Sequence, residues 1–194
     1  MKETINIKRK EFVVIEKMGE RSFKVERKGK IFFLKKYDRR DELEEFIKNS
    51  RRLKITALET PKVYIFDKDQ LISVVDFIEG DNVLDLLLKN DSLDELIYKS
   101  ILADEWYMRR EKLKIDFAPN NFRFNGKKLV YLPFKTLPFE QGYNFTMKEF
   151  RLWFYTKEFS KYVKSLGYSF DDSKIGNEYA TNKQMALMAV KYYM

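Results

Sequence analysis

The sequence of 194 residues contains no cysteine and no histidine. Without cysteine it has no disulfide, thiolate nucleophile or cysteine zinc site, which fits a reducing compartment. Without histidine it lacks the commonest metal ligand and every Ser-His or Cys-His catalytic arrangement. Any chemistry must therefore rest on carboxylates, lysines and bound metal.

Long apolar runs are missing as well. No run approaches the roughly 20 apolar residues of a membrane-spanning helix, and the polar start of the sequence has no apolar stretch of signal-peptide length. We therefore expect a cytoplasmic protein without a membrane span. The formal net charge of +8 permits an anionic partner. Because the basic residues are interleaved with acidic ones, charge alone does not choose among a nucleotide, a nucleic acid and an acidic surface.

The first 78 residues predict a β-rich part of the chain. Runs rich in Val, Ile and Phe indicate a three-stranded meander, then a segment with helical spacing of its apolar residues, then two more strands. The predicted strands are residues 11–18, 22–27, 30–37, 63–66 and 71–77, and the predicted helix is residues 41–54.

Residues 79–194 predict a mainly helical part. The expected helices are residues 83–88, 93–110 and 146–166, with a last one from Thr181. Asp91 or Ser92 is expected to cap the second of these, and Thr146 with Glu149 forms a capping-box pattern. A short hairpin, residues 122–124 and 127–132, is expected around an Asn-Gly turn.

One loop in this part carries a candidate catalytic pair. The stretch KIDFAPNNF sets Asp116 and Asn121 five residues apart, with a proline between them. Taken alone, this spacing is typical of a turn, because Asp, Asn and Pro are common turn residues. Its place after the strands and the first helices, directly before a hairpin, favours a more specific interpretation.

Three further stretches support that interpretation: FFLKK at residues 32–36, VVDFIEGD at residues 74–81 and GERSFKV at residues 19–25. Together with KIDFAPNNF they resemble the protein-kinase-like superfamily, above all its small atypical members and the aminoglycoside- and lipopolysaccharide-kinase-like proteins. The resemblance covers residues 11–136. It implies an α+β, two-lobed protein-kinase-like fold in one domain, with a five-stranded antiparallel N-terminal lobe (residues 1–78) and a shortened, mainly helical C-terminal lobe (residues 79–194).

The resemblance also implies ATP and Mg²⁺ as cofactors and a separate role for each of three residues. Asp116 would receive the proton of the acceptor hydroxyl, Asn121 would hold a magnesium ion, and Lys35 would bind phosphate. Lys36 is the alternative to Lys35, because adjacent strand residues face opposite sides. For the glutamate that pairs with this lysine, position on the helix weakly favours Glu42.

Glu45 is the alternative to Glu42 as the partner of the lysine.

The remaining expected contacts concern the nucleotide. Backbone groups of Asp76 and Ile78 would meet adenine, and Gly19 would be the first glycine of a phosphate-binding loop.

The sequence departs from the family pattern at several of its motifs. Pro133 stands where the family has a metal-binding aspartate, and a proline side chain cannot bind magnesium. Lys135 replaces the glycine of the same motif, whereas Phe134 keeps its phenylalanine. Glu140 would supply the missing carboxylate only if its loop folds back.

The nucleotide-binding side departs too. Arg21 and Lys24 replace two glycines of the phosphate loop, and Phe33 replaces a small residue beneath adenine. Side chains at the glycine positions obstruct the approach of phosphate to the backbone.

Three functional hypotheses follow. The first is a pseudokinase-like protein with weakened or lost phosphotransfer that acts by binding a nucleotide or a partner, either another protein or a second copy of itself. The second is an active atypical phosphotransferase that moves the γ-phosphate of ATP to a sugar, lipid or protein hydroxyl. The third, ranked behind them, is a nucleic-acid or anion-binding protein that uses its basic surface.

Overall fold

The computed structural model describes residues 3–90, 93–146 and 148–193. The chain divides into two compact units, the first formed by residues up to Ile55 with Thr60–Glu79, the second by Thr56–Glu59 with Gly80 onwards. The class is α+β, as expected. Within the described ranges, no helix combines the length and the apolar character that crossing a membrane requires.

The first unit is an antiparallel sheet with one helix. Its elements are β1 (Thr4–Ile7), β2 (Lys10–Gly19), β3 (Ser22–Arg27), β4 (Lys30–Lys36), α1 (Arg40–Leu53), β5 (Val63–Asp67) and β6 (Ile72–Asp76). The strands are ordered β1-β2-β3-β4-β6-β5. Helix α1 has acidic residues in its first turn and basic residues in its last, which favours the helix dipole at both ends.

The expected architecture with a five-stranded N-terminal lobe is wrong, because the described part of the sheet has six strands. The unexpected strand, β1, pairs along its whole length with the start of β2. It was missed because it is short and because its turn carries no hairpin signal. Lys8 and Arg9 form this turn with φ of 45° and 63°, a conformation that glycine or asparagine usually marks.

The sheet curls until strands that are distant in its order meet. The rings of Phe12 in β2 and Tyr64 in β5 have centroids 6.2 Å apart, although β3, β4 and β6 separate these strands. The curl encloses an apolar cluster of Ile7, Phe12, Phe23, Val25, Phe32, Leu34, Ile72 and Val74. Alternate residues of each strand therefore point into this core or away from it.

The second unit is mainly helical. Its strands and α-helices are β7 (Asp81–Asn82), α2 (Val83–Lys89), α3 (Glu95–Arg110), β8 (Phe122–Phe124), β9 (Leu129–Tyr131), α4 (Lys157–Ser165) and α5 (Glu178–Tyr193). The hairpin expected around Asn125-Gly126 is present as β8 and β9, where the Asn125 side chain accepts from the backbone N–H of Lys127 and Lys128. Strand β7 extends this hairpin to three strands.

The predicted helix over residues 146–166 is wrong. A short 3-10 helix, Glu149–Trp153, is followed by an extended residue, and α4 begins only at Lys157. Thr156 caps α4 by accepting from the backbone N–H of Phe159 at 3.0 Å. The expected capping box does not form, because the Thr146 hydroxyl donates to Asn144 and Glu149 turns elsewhere.

Two other predicted caps also differ from the structure. Helix α5 begins at Glu178 rather than at Thr181, and the side chain of Asn177 accepts from the backbone N–H of Ala180. Asp91 and Ser92, the residues expected to cap α3, lie outside the described residues. The cap of α3 is Asp94, which accepts from the backbone N–H of Leu96 at 2.8 Å.

Candidate functional site

The loop that contains Asp116 and Asn121 is a hydrogen-bonded turn that leaves one carboxylate exposed. Asp116 Oδ1 accepts from the backbone N–H of Ala118 at 3.0 Å, and Pro119–Asn121 forms a turn of 3-10 helix. The Asn121 side-chain amide donates to the carbonyl of Asp116 at 3.1 Å. The structure thus brings together the two residues that the sequence predicted, and the Asp116 side chain remains exposed.

Side chains from the segment that follows hold this loop in place. The buried indole N–H of Trp153 donates to the carbonyl of Phe117 at 2.9 Å. Glu149 accepts from the backbone N–H of the same residue at 3.3 Å, and the hydroxyl of Tyr162 donates to the side-chain oxygen of Asn120. Both polar groups of the Phe117 backbone are therefore satisfied by side chains rather than by a regular element.

Glu149 adds a second carboxyl group next to Asp116. Its own burial is the main cause that raises its pKa, and the charge of Asp116 raises it further. The neighbouring Tyr143 hydroxyl and the ammonium of Lys114, 4.0 Å away, lower it. Two neighbouring carboxyl groups, one exposed and one partly buried, are a recurrent feature of functional sites.

Lys114 and the tyrosines complete the surroundings of the loop. The Lys114 side chain is 13% exposed, and its ammonium lies 3.9 Å from the ring centroid of Tyr143. Burial, followed by the neighbouring Glu149, raises the pKa of the Tyr143 hydroxyl. Burial also raises the pKa of Tyr162 to about 12, and the charge of Asp116 contributes. These tyrosines therefore remain protonated at neutral pH.

Sequence reasoning missed Glu149 as a member of the site. Its spacing from Thr146 indicated a helix cap, whereas its real partner, Phe117, is 32 residues away in the chain. No local pattern connects positions that distant. The same holds for Trp153 and Tyr162, which lie within the predicted helix over residues 146–166.

The predicted metal position differs from an ordinary magnesium site. Pro133 is exposed and Phe134 is buried with φ of 50°. The loop of Glu140 does fold back, but this carboxylate pairs with Lys114 at 3.6 Å and with Lys148 at 3.9 Å. Among the described residues, no group of three or more acidic side chains is placed to hold a metal ion.

The oxygen donors present fit at most a single magnesium ion. Asp116 offers a carboxylate and Asn121 a side-chain carbonyl, and magnesium commonly takes one or two carboxylates, with water and phosphate oxygens completing its shell. A second ion, as in a two-metal phosphotransfer site, does not fit, because Pro133 supplies no ligand.

The other predicted site residues lie in the first unit. On β4, Lys36 shares a face with the core residues Phe32 and Leu34, and its ammonium lies 5.0 Å from the ring centroid of Phe23. Lys35 faces the opposite side, is exposed and lies 5.1 Å from the ring centroid of Tyr37. Of the two candidate lysines, Lys35 is therefore the one that points away from the core of the sheet.

Helix α1 contributes one glutamate near Lys35. Burial raises the pKa of Tyr37 to about 12, its hydrogen bond with Ser73 lowers it, and the charge of Glu42 raises it again. Glu42 thus lies near the tyrosine that contacts Lys35, and it pairs with Arg39 at 3.5 Å. Glu45, the alternative, is exposed.

The segments expected to bind the nucleotide are already engaged within the unit. The backbone N–H of Asp76 donates to the carbonyl of Lys62 at 2.9 Å, and its carboxylate pairs with Lys30 at 2.9 Å. Ile78 follows β6 and is half-buried.

The expected phosphate-binding loop is a tight turn rather than an extended loop. Gly19 opposes Ser22 directly, so that two residues connect β2 and β3. Arg21 in this turn pairs with Asp38, and its carbonyl accepts from the backbone N–H of Lys36 at 2.8 Å. A turn of this length exposes few backbone N–H groups, whereas a phosphate loop offers several in succession.

Comparison with known proteins adds no family to this description. No model of a protein family matches the chain, and no curated protein matches its sequence.

Proposed function

We propose that the chain is a degenerate relative of the protein-kinase-like proteins, with weakened or lost phosphotransfer, which acts by binding a nucleotide or a partner. The observation that carries this proposal is the loop around Asp116, in which Asn121 is hydrogen-bonded to the aspartate backbone and the carboxylate stays exposed. The contacts from the buried Trp153 and the partly buried Glu149 hold this loop in one conformation.

Two observations support weakened rather than full catalysis. The turn at Gly19 is short, and Arg21 is engaged by Asp38 instead of leaving room for phosphate. Pro133 provides no metal ligand, and Glu140 is neutralised by lysines. Phosphotransfer depends mainly on positioning and on neutralising phosphate charge, so the loss of these parts lowers the rate more than it lowers the affinity.

The second hypothesis, an active phosphotransferase, is favoured by one observation. Asp116 is exposed and has a second carboxyl group, Glu149, at its side. An exposed aspartate can accept a hydrogen bond from a substrate hydroxyl, which is the role of the catalytic-loop aspartate in kinases.

A thermal-unfolding experiment separates these hypotheses. The melting temperature of the purified chain is measured with and without ATP, each with and without Mg²⁺, because a ligand of the native state raises its stability by about 2.7 kcal/mol at 100 times its dissociation constant. We expect ATP to raise the melting temperature without a requirement for Mg²⁺ and without transfer of its γ-phosphate. A rise that requires Mg²⁺, with transfer that is lost in Asp116→Asn, establishes the active enzyme instead. No rise at all excludes nucleotide binding.

Asn121→Ala tests the role of the loop itself. It removes one exposed hydrogen bond, to the carbonyl of Asp116, so we expect a loss of stability of about 1 kcal/mol in urea unfolding. The matched control is Asn144→Ala, which removes an exposed asparagine from the same unit. If Asn121→Ala lowers ATP affinity at least tenfold while its unfolding curve stays within that margin, Asn121 contacts the ligand.

A further inference from the structure

Cationic side chains on the first unit converge on one partly exposed aromatic ring. The Lys10 ammonium lies 4.5 Å from the ring centroid of Tyr64, and the Arg27 guanidinium donates to the Tyr64 hydroxyl at 3.0 Å. Tyr64 is 36% exposed. Its ring is supported from beneath by Phe32, whose centroid is 4.7 Å away.

The same arrangement continues on both sides of Tyr64. Two residues further along β5, Phe66 lies 5.4 Å from the ammonium of Lys8, and on β4 the ammonium of Lys30 lies 5.2 Å from the ring centroid of Phe32. We call this surface the Tyr64 stripe, defined by Lys8, Lys10, Arg27, Lys30, Tyr64 and Phe66. It exists because the sheet curls, since the curl brings β2 and its turn over β5.

The charge of the stripe is only partly compensated. Lys30 pairs with Asp76 at 2.9 Å, and Lys8 is close enough to Asp67 for its charge to lower the pKa of that carboxyl group. Within the described part of the chain, no carboxylate oxygen lies within 4 Å of the charged groups of Lys8, Lys10 and Arg27. Lys10 contacts the ring of Tyr64 and Arg27 its hydroxyl, and these contacts fix the two cations without neutralising their charge.

We propose that the Tyr64 stripe binds single-stranded nucleic acid, an activity independent of the loop around Asp116. A row of cations that follows a phosphate backbone, next to aromatic rings on which bases stack, is the combination with which proteins bind single strands irrespective of sequence. Lys10 covers the outer face of Tyr64 in the free protein. On binding, its ammonium moves to a phosphate and a base replaces it on the ring.

The test measures binding of a fluorescently labelled oligothymidylate by anisotropy at several salt concentrations. Each phosphate contact contributes about −0.7 to the slope of log K against log salt for single strands. Four cations therefore predict a slope of about −3. The triple variant Lys8→Gln, Lys10→Gln and Arg27→Gln should lower affinity at least tenfold and reduce the slope to about −1.

The control removes the same charge elsewhere. The triple variant Lys127→Gln, Lys161→Gln and Lys183→Gln changes three exposed lysines of the second unit. We expect it to retain most of the affinity. Equal losses in both triple variants would mean that only the overall charge attracts the oligonucleotide, and the proposal would be overturned.

Two further measurements fix the class of partner. Tyr64→Leu keeps apolar packing against Phe32 but removes the stacking surface, and it should weaken binding about tenfold with an unchanged salt slope. A duplex of the same length should bind more weakly than the single strand. Binding of the duplex with equal affinity, or no binding of the single strand at low salt, contradicts the proposal. If the stripe triple variant does not fold, Arg27→Gln alone, with Lys161→Gln as its control, gives the same comparison.

Discussion

Asp104 makes the stability of this protein depend on pH in a way that one substitution removes. It lies on α3 and is 9% exposed. Burial, with a smaller contribution from the charge of Glu59, raises its pKa from the ordinary value of 3.8 to about 8. Because the folded-state pKa exceeds the unfolded one, the neutral acid is favoured in the folded protein. Asp104 therefore does not lower the free energy of unfolding below about pH 4, and it lowers this free energy progressively as the pH rises from 4 to 8.

The magnitude follows from linkage. One pKa unit corresponds to about 1.4 kcal/mol. At pH 7 Asp104 is ionised in the unfolded chain but neutral in the folded protein, which lowers the free energy of unfolding by about 4 kcal/mol relative to acid pH. This is a large part of the 5 to 15 kcal/mol that stabilises a typical domain. The side-chain amide of an asparagine does not titrate, so between pH 5 and pH 7 the stability of the Asp104→Asn variant should rise by about 3 kcal/mol relative to that of the original chain.

The assay is urea unfolding at pH 5, 6, 7, 8 and 9, with the difference in unfolding free energy plotted against pH. A difference in unfolding free energy that is the same at every pH carries no information on the pKa of Asp104, because the amide of asparagine forms hydrogen bonds that differ from those of the acid. The informative quantity is the growth of the difference up to pH 8 and its plateau above that value. Asp81→Asn, an exposed aspartate of the same unit, should show no such growth. Parallel pH profiles of Asp104→Asn and the original chain would refute the reasoning.

Two other substitutions test elements that position the site. Thr156→Val removes the cap that accepts from the backbone N–H of Phe159 and the hydrogen bond that the same hydroxyl donates to the carbonyl of Arg151 at 2.9 Å. It should cost at least about 1 kcal/mol in urea unfolding, and an unchanged midpoint would show that this hydroxyl does not hold the start of α4. Gly80→Ala places a Cβ 2.5 Å from the carbonyl oxygen of Phe124 at φ of 127°, so it should lower the melting temperature by several degrees or prevent folding. Gly19→Ala, where the nearest atom is 3.8 Å away, is its control, and equal effects of the two would argue against the close approach at Gly80.

The sequence predicted most elements of the first unit and the hairpin of the second well from local signals, although the capping-box pattern at Thr146 predicted a helix that does not form. The Asn125-Gly126 hairpin, the amphipathic helix α1 and the strands on both sides of it were all found within one or two residues. In these segments a turn residue or a periodic pattern decides the structure within a short window. The turn at Lys8 and Arg9 lacks such a residue, and a strand was missed there.

The site shows where local patterns stop being informative. The pair of Asp116 and Asn121 was predicted because both residues lie in one short stretch, KIDFAPNNF, which resembles a family motif. Glu149 and Trp153 contact that loop although they lie 32 and 36 residues after Phe117 in the sequence. In the segment that contains them, the capping-box pattern predicted one long helix, whereas packing of the buried aromatic residues produces a short 3-10 helix and a break.

The contacts of Glu149, Trp153 and Tyr162 with the loop also have a consequence for synthesis. The loop leaves the ribosome before the residues that hold it, so a nascent chain that ends shortly after β9 contains Asp116 and Asn121 without their support. The contacts that hold the loop from outside can then form only when the chain has grown past Tyr162. Trp153 becomes buried in this event, so in a chain whose other tryptophan, Trp106, is replaced, fluorescence follows the formation of these contacts without any ligand.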